Sequence, residues 1–193
     1  MIEEQLKKLA DVLPESGKCE NEDREIIIYG LSSAIELGVN IITTIILGFL
    51  FGLILESLIF TISFSFLRTY AGGYHCQKAI NCYLMSSGIV ALVLAIIKFT
   101  PIECMIIIGV AMLLVSVPIL LKLAPVGTPS KPLDVDERKH YREKTINHLF
   151  IECVVIHFLF FVGLHSFAFL VCLAIMLSFW LVFIESKSIE QIN

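Results

Sequence analysis

The sequence predicts an all-α polytopic membrane protein with about six transmembrane helices and an N-terminal amphipathic helix. Three observations carry this. Of 193 residues, 57% are hydrophobic and only 17% charged, whereas a soluble domain carries roughly 25% charged residues. Mean hydropathy is +0.87, and apolar runs recur that approach the roughly 20 residues needed to cross a bilayer. Finally, the basic residues collect in alternate connecting segments instead of scattering along the chain.

Residues 1–25 are charged and lack the short apolar core followed by small residues that a signal peptide needs, so no cleavable leader is expected. Ile2, Leu6, Leu9 and Leu13 recur at helical spacing with Glu3, Glu4, Lys7, Lys8 and Asp11 elsewhere, the pattern of a helix lying on the membrane surface, the alternatives being a helix packed on its own protein or a frayed tail. The apolar runs that follow cover residues 31–55, 57–66, 83–97, 102–121, 146–164 and 167–184. The second is short. Lys98, Phe99, Thr100 and Pro101 end the third run, and Gly163, His165 and Ser166 separate the last two.

With six spans and a cytoplasmic N-terminus, the inner segments are 1–30, 68–81, 122–145 and 185–193, and they hold thirteen of the fourteen Lys and Arg residues. Lys98 alone falls outside. The positive-inside rule therefore puts both termini and the segment 68–82 on the cytoplasmic side. The longest connection, 122–145, opens with three prolines and a glycine, which make it extended and stiff. Its second half, from Asp134, alternates charges and can start the fifth helix early. Nothing repeats internally, and the chain reads as one domain over 1–193. The six cysteines (Cys19, Cys76, Cys82, Cys104, Cys153, Cys172) show no paired spacing and do not suggest a disulfide framework.

Residues 68–82, Arg-Thr-Tyr-Ala-Gly-Gly-Tyr-His-Cys-Gln-Lys-Ala-Ile-Asn-Cys, form a polar island in this apolar chain. Arg68, His75 and Lys78 at membrane depth are costly unless they face water or one another, so the island asks for a functional explanation. His75 and Cys82 are its acid–base group and nucleophile, since a nearby imidazole is the usual means of making a thiolate at neutral pH. On one straight helix these two lie about 10 Å apart along the axis, too far for proton transfer. A dyad therefore requires a break, which Gly72 and Gly73 permit. Asn81 can cap a helix beginning at Cys82, placing the thiol at a positive helix end. Otherwise Cys82 is a packed cysteine beside a surface loop.

The run Arg68-x-x-Ala71-Gly72-Gly73-Tyr74-His75, with Cys82 seven residues on, resembles the accessory gene regulator protein B (AgrB) family of Gram-positive bacteria. Ala124-Pro125 followed by Lys131-Pro132-Leu133 is similar to that family's cytoplasmic loop. Cys76, directly after the histidine, departs from the family pattern and leaves a second thiol beside the site. The resemblance implies a membrane-embedded cysteine endopeptidase of quorum sensing. Such an enzyme cleaves the C-terminal part of a short propeptide, holds the signal portion as a thioester, and releases it as a cyclic thiolactone. By position, His75 is the general base and Cys82 the nucleophile, while Arg68 and Gly73 match family positions that matter for activity.

Arg68 can pair with a carboxylate or anchor a helix end at lipid phosphates. Lys131, Arg138, Lys139, Arg142 and Lys144 can receive an acidic stretch of the propeptide or serve only as positive-inside residues. Glu36 is read as the only acidic residue well inside a predicted span, able to orient His75, to pair with Arg68, or simply to reach water from the cytoplasmic end of the first span. His140, His148, His157 and His165 lack metal-ligand spacing, so no metal or cofactor is expected. The expected partners are a short amphipathic propeptide with an internal cysteine, the bilayer, and a second copy of the chain, because small bundles leave much helix surface exposed. No nucleic-acid partner is expected. The competing reading is a small membrane transporter or signal-peptide exporter without proteolytic activity, using Glu36 and His157 in a pathway.

Overall fold

The computed structural model describes residues 21–73, 79–127 and 133–192. These hold six helices and no strand: α1 (Asn21–Phe51), α2 (Ile54–Ala71), α3 (Ala79–Phe99), α4 (Ile102–Leu123), α5 (Val135–Phe161) and α6 (His165–Ile192). Each is long and apolar enough to cross a membrane. The chain divides into two compact units, 1–43 and 44–193. The described part of the first unit is the N-terminal portion of α1, where Asn40 donates its side-chain amide to the Glu36 carbonyl at 3.0 Å. The predicted surface helix over 1–20 lies outside the described residues.

Within the second unit α6 is the axle. Its spanning window is 67% buried, against at most 28% for any other helix, so it alone is enclosed and the rest face outward. Every residue from Ala168 to Ile175 is buried, the pattern of a helix apolar all round and packed on every side. It lies against α2, α3, α4 and α5. One apolar cluster joins it to Leu67 and Ala71 of α2, Leu120 of α4, and Leu149 and Ile156 of α5. A second joins it to Phe60, to Val90, Val93 and Leu94 of α3, and to Met105 of α4. Small residues let backbones approach, as expected where lipid removes the hydrophobic drive between helices. At Gly109 of α4 an added Cβ would sit 3.3 Å from Cys172 Sγ of α6.

The turns follow from their residues. Gly52, at φ 72°, ends α1, and Leu53 N–H closes the turn on the Gly48 carbonyl at 2.7 Å. Gly163, at φ 82°, does the same after α5, with Leu164 N–H on the Leu159 carbonyl at 2.9 Å. Asp134 and Glu137 form a capping box that starts α5, with Asp134 Oδ1 accepting from Val135 N–H at 2.7 Å. The charged stretch after Asp134 therefore begins the fifth helix early, as its alternation suggests.

Several expectations need correction. The short second run is a full 18-residue helix that continues through Arg68 to Ala71. Arg68 lies in the last turn of that helix, with its guanidinium 5.8 Å from the Phe64 ring centroid. The polar island is thus helical at both ends, over 68–71 and 79–82. Asn81 does not cap a helix beginning at Cys82; that helix already includes Ala79, and Asn81 lies in its first turn. The last helix runs past Ile184 to Ile192. Glu36 is not the sole intramembrane acid: Glu152 lies inside the fifth span and is buried.

Candidate active site

Arg68 lies in the last turn of α2 and Gly73 just beyond its end, while Cys82 lies on α3. The helix carrying Arg68 stops at Ala71, where Gly72 N–H returns to the Arg68 carbonyl at 3.0 Å. Gly72 then takes φ 74° and ψ −147°, a conformation essentially restricted to glycine. Gly73 follows at φ 113°. The chain breaks here, ahead of His75, so no single helix runs from Arg68 to Leu84; residues 74–78 lie outside the described residues.

The arm leaving α2 is fixed on two sides. On one, Val126 N–H donates to the Ala71 carbonyl at 3.1 Å, and Gly72 pairs with Val126 in a one-residue parallel bridge. On the other, Gly73 is buried against the backbone of α6, where a Cβ would lie 3.1 Å from Leu181 C and Val182 N. Both glycines therefore serve close approach as well as backbone angle. The extended segment after α4, including Ala124-Pro125, is what the arm rests on.

Cys82 is a free, half-buried thiol in the first turn of α3. Ser86 donates its hydroxyl to the Cys82 carbonyl at 2.9 Å, a back-bond within the helix. His75 and the neighbouring Cys76 lie outside the described residues, so no distance joins imidazole to thiol. Lys131 lies outside them as well. Arg138 and Lys139 meet with Lys122 and Arg142 around a cavity of about 350 Å³ at the start of α5. Glu36 is exposed on α1, and His157 is exposed on α5, its Nδ1 3.1 Å from the Cys153 carbonyl of its own helix.

The feature missed in the sequence is a polar seam between α2 and α5. Ser63 Oγ donates to Glu152 Oε1 at 2.5 Å, while Glu152 Oε2 is buried without a partner among the described residues. Toward the arm, His148 stacks on Tyr70 at 4.8 Å and on Phe66 at 5.9 Å between ring centroids. Tyr70 also meets Tyr141 at 6.4 Å. The helix ending in the Gly-Gly arm is thus located against α5 by polar and ring contacts, over apolar packing alone. Helical spacing already places His148 and Glu152 on one side of a span, a visible signal; their partners on α2 were not visible.

The family profile of Accessory gene regulator B matches residues 6–184. AgrB-like protein 2 of Clostridium perfringens (strain 13 / Type A) is 34% identical over 167 residues, covering 81% of this chain and 78% of its own length. A similar AgrB-like protein from strain SM101 of the same species matches with the same identity and coverage. No solved structure matches. With a profile match over most of its length and two relatives at this identity, the chain belongs to the Accessory gene regulator B family and so to the accessory gene regulator system.

Proposed function

We propose that this protein is a membrane-embedded cysteine endopeptidase that cleaves the C-terminal part of a quorum-sensing propeptide and hands the remainder on as a thiolactone. The observation carrying the reading is the break at Gly72–Gly73. It ends the helix of Arg68 before the helix that carries Cys82 begins, so these two residues do not share one continuous helix. Family membership adds its weight.

His75 takes the Cys82 proton, and the sulfur attacks the scissile carbonyl. Collapse of the tetrahedral adduct breaks the C–N bond, the leaving amine takes the proton from His75, and the signal portion stays on Cys82 as a thioester. The propeptide's own cysteine thiolate then attacks that thioester carbonyl. Cys82 leaves as thiolate and the ring closes. Exchange of one thioester for another is close to energy-neutral, so it prevails over hydrolysis only where water is scarce and the second thiol is tethered. A site at the bilayer edge provides the first, and the thiol's place within the acylated peptide provides the second. Arg68 and Gly73 support the site, and a second copy of the chain covers part of the exposed helix surface.

Purified protein in liposomes, mixed with a candidate propeptide and quenched in acid, should show by mass spectrometry an adduct on Cys82 equal to the propeptide less its C-terminal fragment. Movement of uncleaved peptide across the bilayer, unchanged by Cys82→Ala, would establish the exporter reading instead. We place the protein in the bacterial cell membrane with both termini and the active site cytoplasmic. A cysteine at Lys187 (Lys187→Cys) in a chain without other cysteines should react with an impermeant maleimide only in inverted vesicles. Labelling from outside intact cells reverses the orientation.

A further inference from the structure

The cavity between the end of α4 and the start of α5 has no role in the reaction above. Lys122, Arg138, Lys139 and Arg142 line its approximately 350 Å³ together with Leu123, Ala124, Pro125 and Val135. Among the described residues no carboxylate pairs with any of the four cations. Arg142 donates to the Leu121 carbonyl at 3.2 Å, which holds the guanidinium at the last turn of α4 and leaves other donors of its five-donor fork unspent. Asp136 and Glu137 occupy the first turn of α5 but do not line the cavity.

Depth and surroundings identify what such a charge cluster takes. α4 has 22 residues and is about 33 Å long, close to the roughly 30 Å of a hydrocarbon core, so its last turn lies at headgroup level. Beneath the cavity, Ile106, Val110, Leu114 and Pro118 recur every four residues on α4, all exposed, and the next residue in that ridge is Lys122. Leu114 is 72% exposed, and Val135 at the rim 80%. An outward apolar ridge that ends in a cationic pocket with no carboxylate partner among the described residues matches one molecule with an acyl chain and a phosphate.

We infer that Lys122, Arg138, Lys139 and Arg142 bind the headgroup of a single anionic phospholipid whose acyl chain lies along the Ile106–Pro118 ridge of α4. The acidic peptide reading is less well served, because the cavity is near the small end of the roughly 300–1,000 Å³ of ligand sites and an acidic stretch has no use for the ridge. Cations near an anionic surface contribute about 1 kcal/mol each, roughly fivefold in affinity.

The test is native mass spectrometry of the full chain in detergent, titrated with phosphatidylglycerol and phosphatidylcholine of equal chain length. Phosphatidylglycerol should bind at least tenfold more tightly. Arg138→Gln with Lys139→Gln should remove that preference while elution volume and helical circular dichroism stay unchanged, and Leu114→Asn should weaken binding of phosphatidylglycerol about threefold. If the double variant does not fold, Val135→Asp, which sets a carboxylate at the rim, should reduce the preference by a similar factor. Glycerol phosphate, carrying the headgroup chemistry without chains, should not displace the lipid at millimolar concentration. Equal binding of the two lipids, or variants that leave the preference intact, overturns the assignment. Displacement by free glycerol phosphate reassigns the pocket to a soluble phosphate, and displacement by a hexaglutamate peptide reassigns it to an acidic peptide.

Discussion

Replacing Cys82 by Ala or Ser, or His75 by Ala, is expected to lower propeptide cleavage at least about 10³-fold, because nucleophile and base act as one unit. The serine variant fails with the alanine one, since a hydroxyl needs a stronger base than a thiol to become a nucleophile. Membrane insertion should be unchanged: Cys82 is half-buried at a helix start and contributes nothing to either apolar cluster. Cys76→Ala should keep most activity. The measurement is cleavage of a fluorescent propeptide by purified variants in liposomes. A dead Cys76→Ala beside a cleaving Cys82→Ala would move the nucleophile to the neighbouring thiol. Mixing His75→Ala and Cys82→Ala subunits adds a second reading, since restored cleavage means the dyad is shared between two copies.

The second large effect is expected from Gly72→Ala, which touches no chemistry. A Cβ on Gly72 would lie 2.1 Å from the Val126 carbonyl oxygen, and that oxygen belongs to backbone held by its own bond to Ala71. The backbone angles add about 1–3 kcal/mol of strain. The arm must therefore leave its seat. Displacing a catalytic residue by about 1 Å can cost 10²-fold in rate, so cleavage should fall at least that far. Gly52→Ala is the control. It has the same sign of φ, 72°, but nothing within 4 Å of the added Cβ, so it should cost about 1 kcal/mol in stability and leave the rate near normal. If Gly72→Ala cleaves as well as Gly52→Ala, the arm does not position the site.

How much of this was legible before folding depends on which residues carried the signal. The spans were legible because twenty-residue apolar runs have few alternatives. The end of α2 was not, since a reading by charge stops at Phe66, while the helix continues through Arg68, whose guanidinium lies over the Phe64 ring. That no straight helix could serve from Arg68 to Cys82 was legible from helical rise alone, and the Gly72–Gly73 pair marks where α2 stops, ahead of His75. What seats that break was not: Val126 and Leu181 lie far along the chain, and the reason for Gly73 is the backbone of α6. Glu152 was passed over because one acid hardly alters the hydropathy of a long run, and its partner Ser63 is 89 residues away.

The Ser63–Glu152 pair also decides something that apolar packing leaves open. Helices of Leu, Ile and Phe slide past one another in lipid at little cost, because hydrocarbon is as good a neighbour as another side chain. A single buried carboxyl ends that freedom. Slipping α2 by one turn would bring Phe60 or Leu67 to face Glu152, stranding its oxygens in a medium with nothing to donate, at a cost of about 1–3 kcal/mol or more. Only one alignment keeps the bond. α3 and α4 are inserted between these two helices in chain order, so α2 has to find α5 after two further crossings of the bilayer. The carboxyl acts as a detent that stops α2 at the one height where its glycine arm meets the segment after α4.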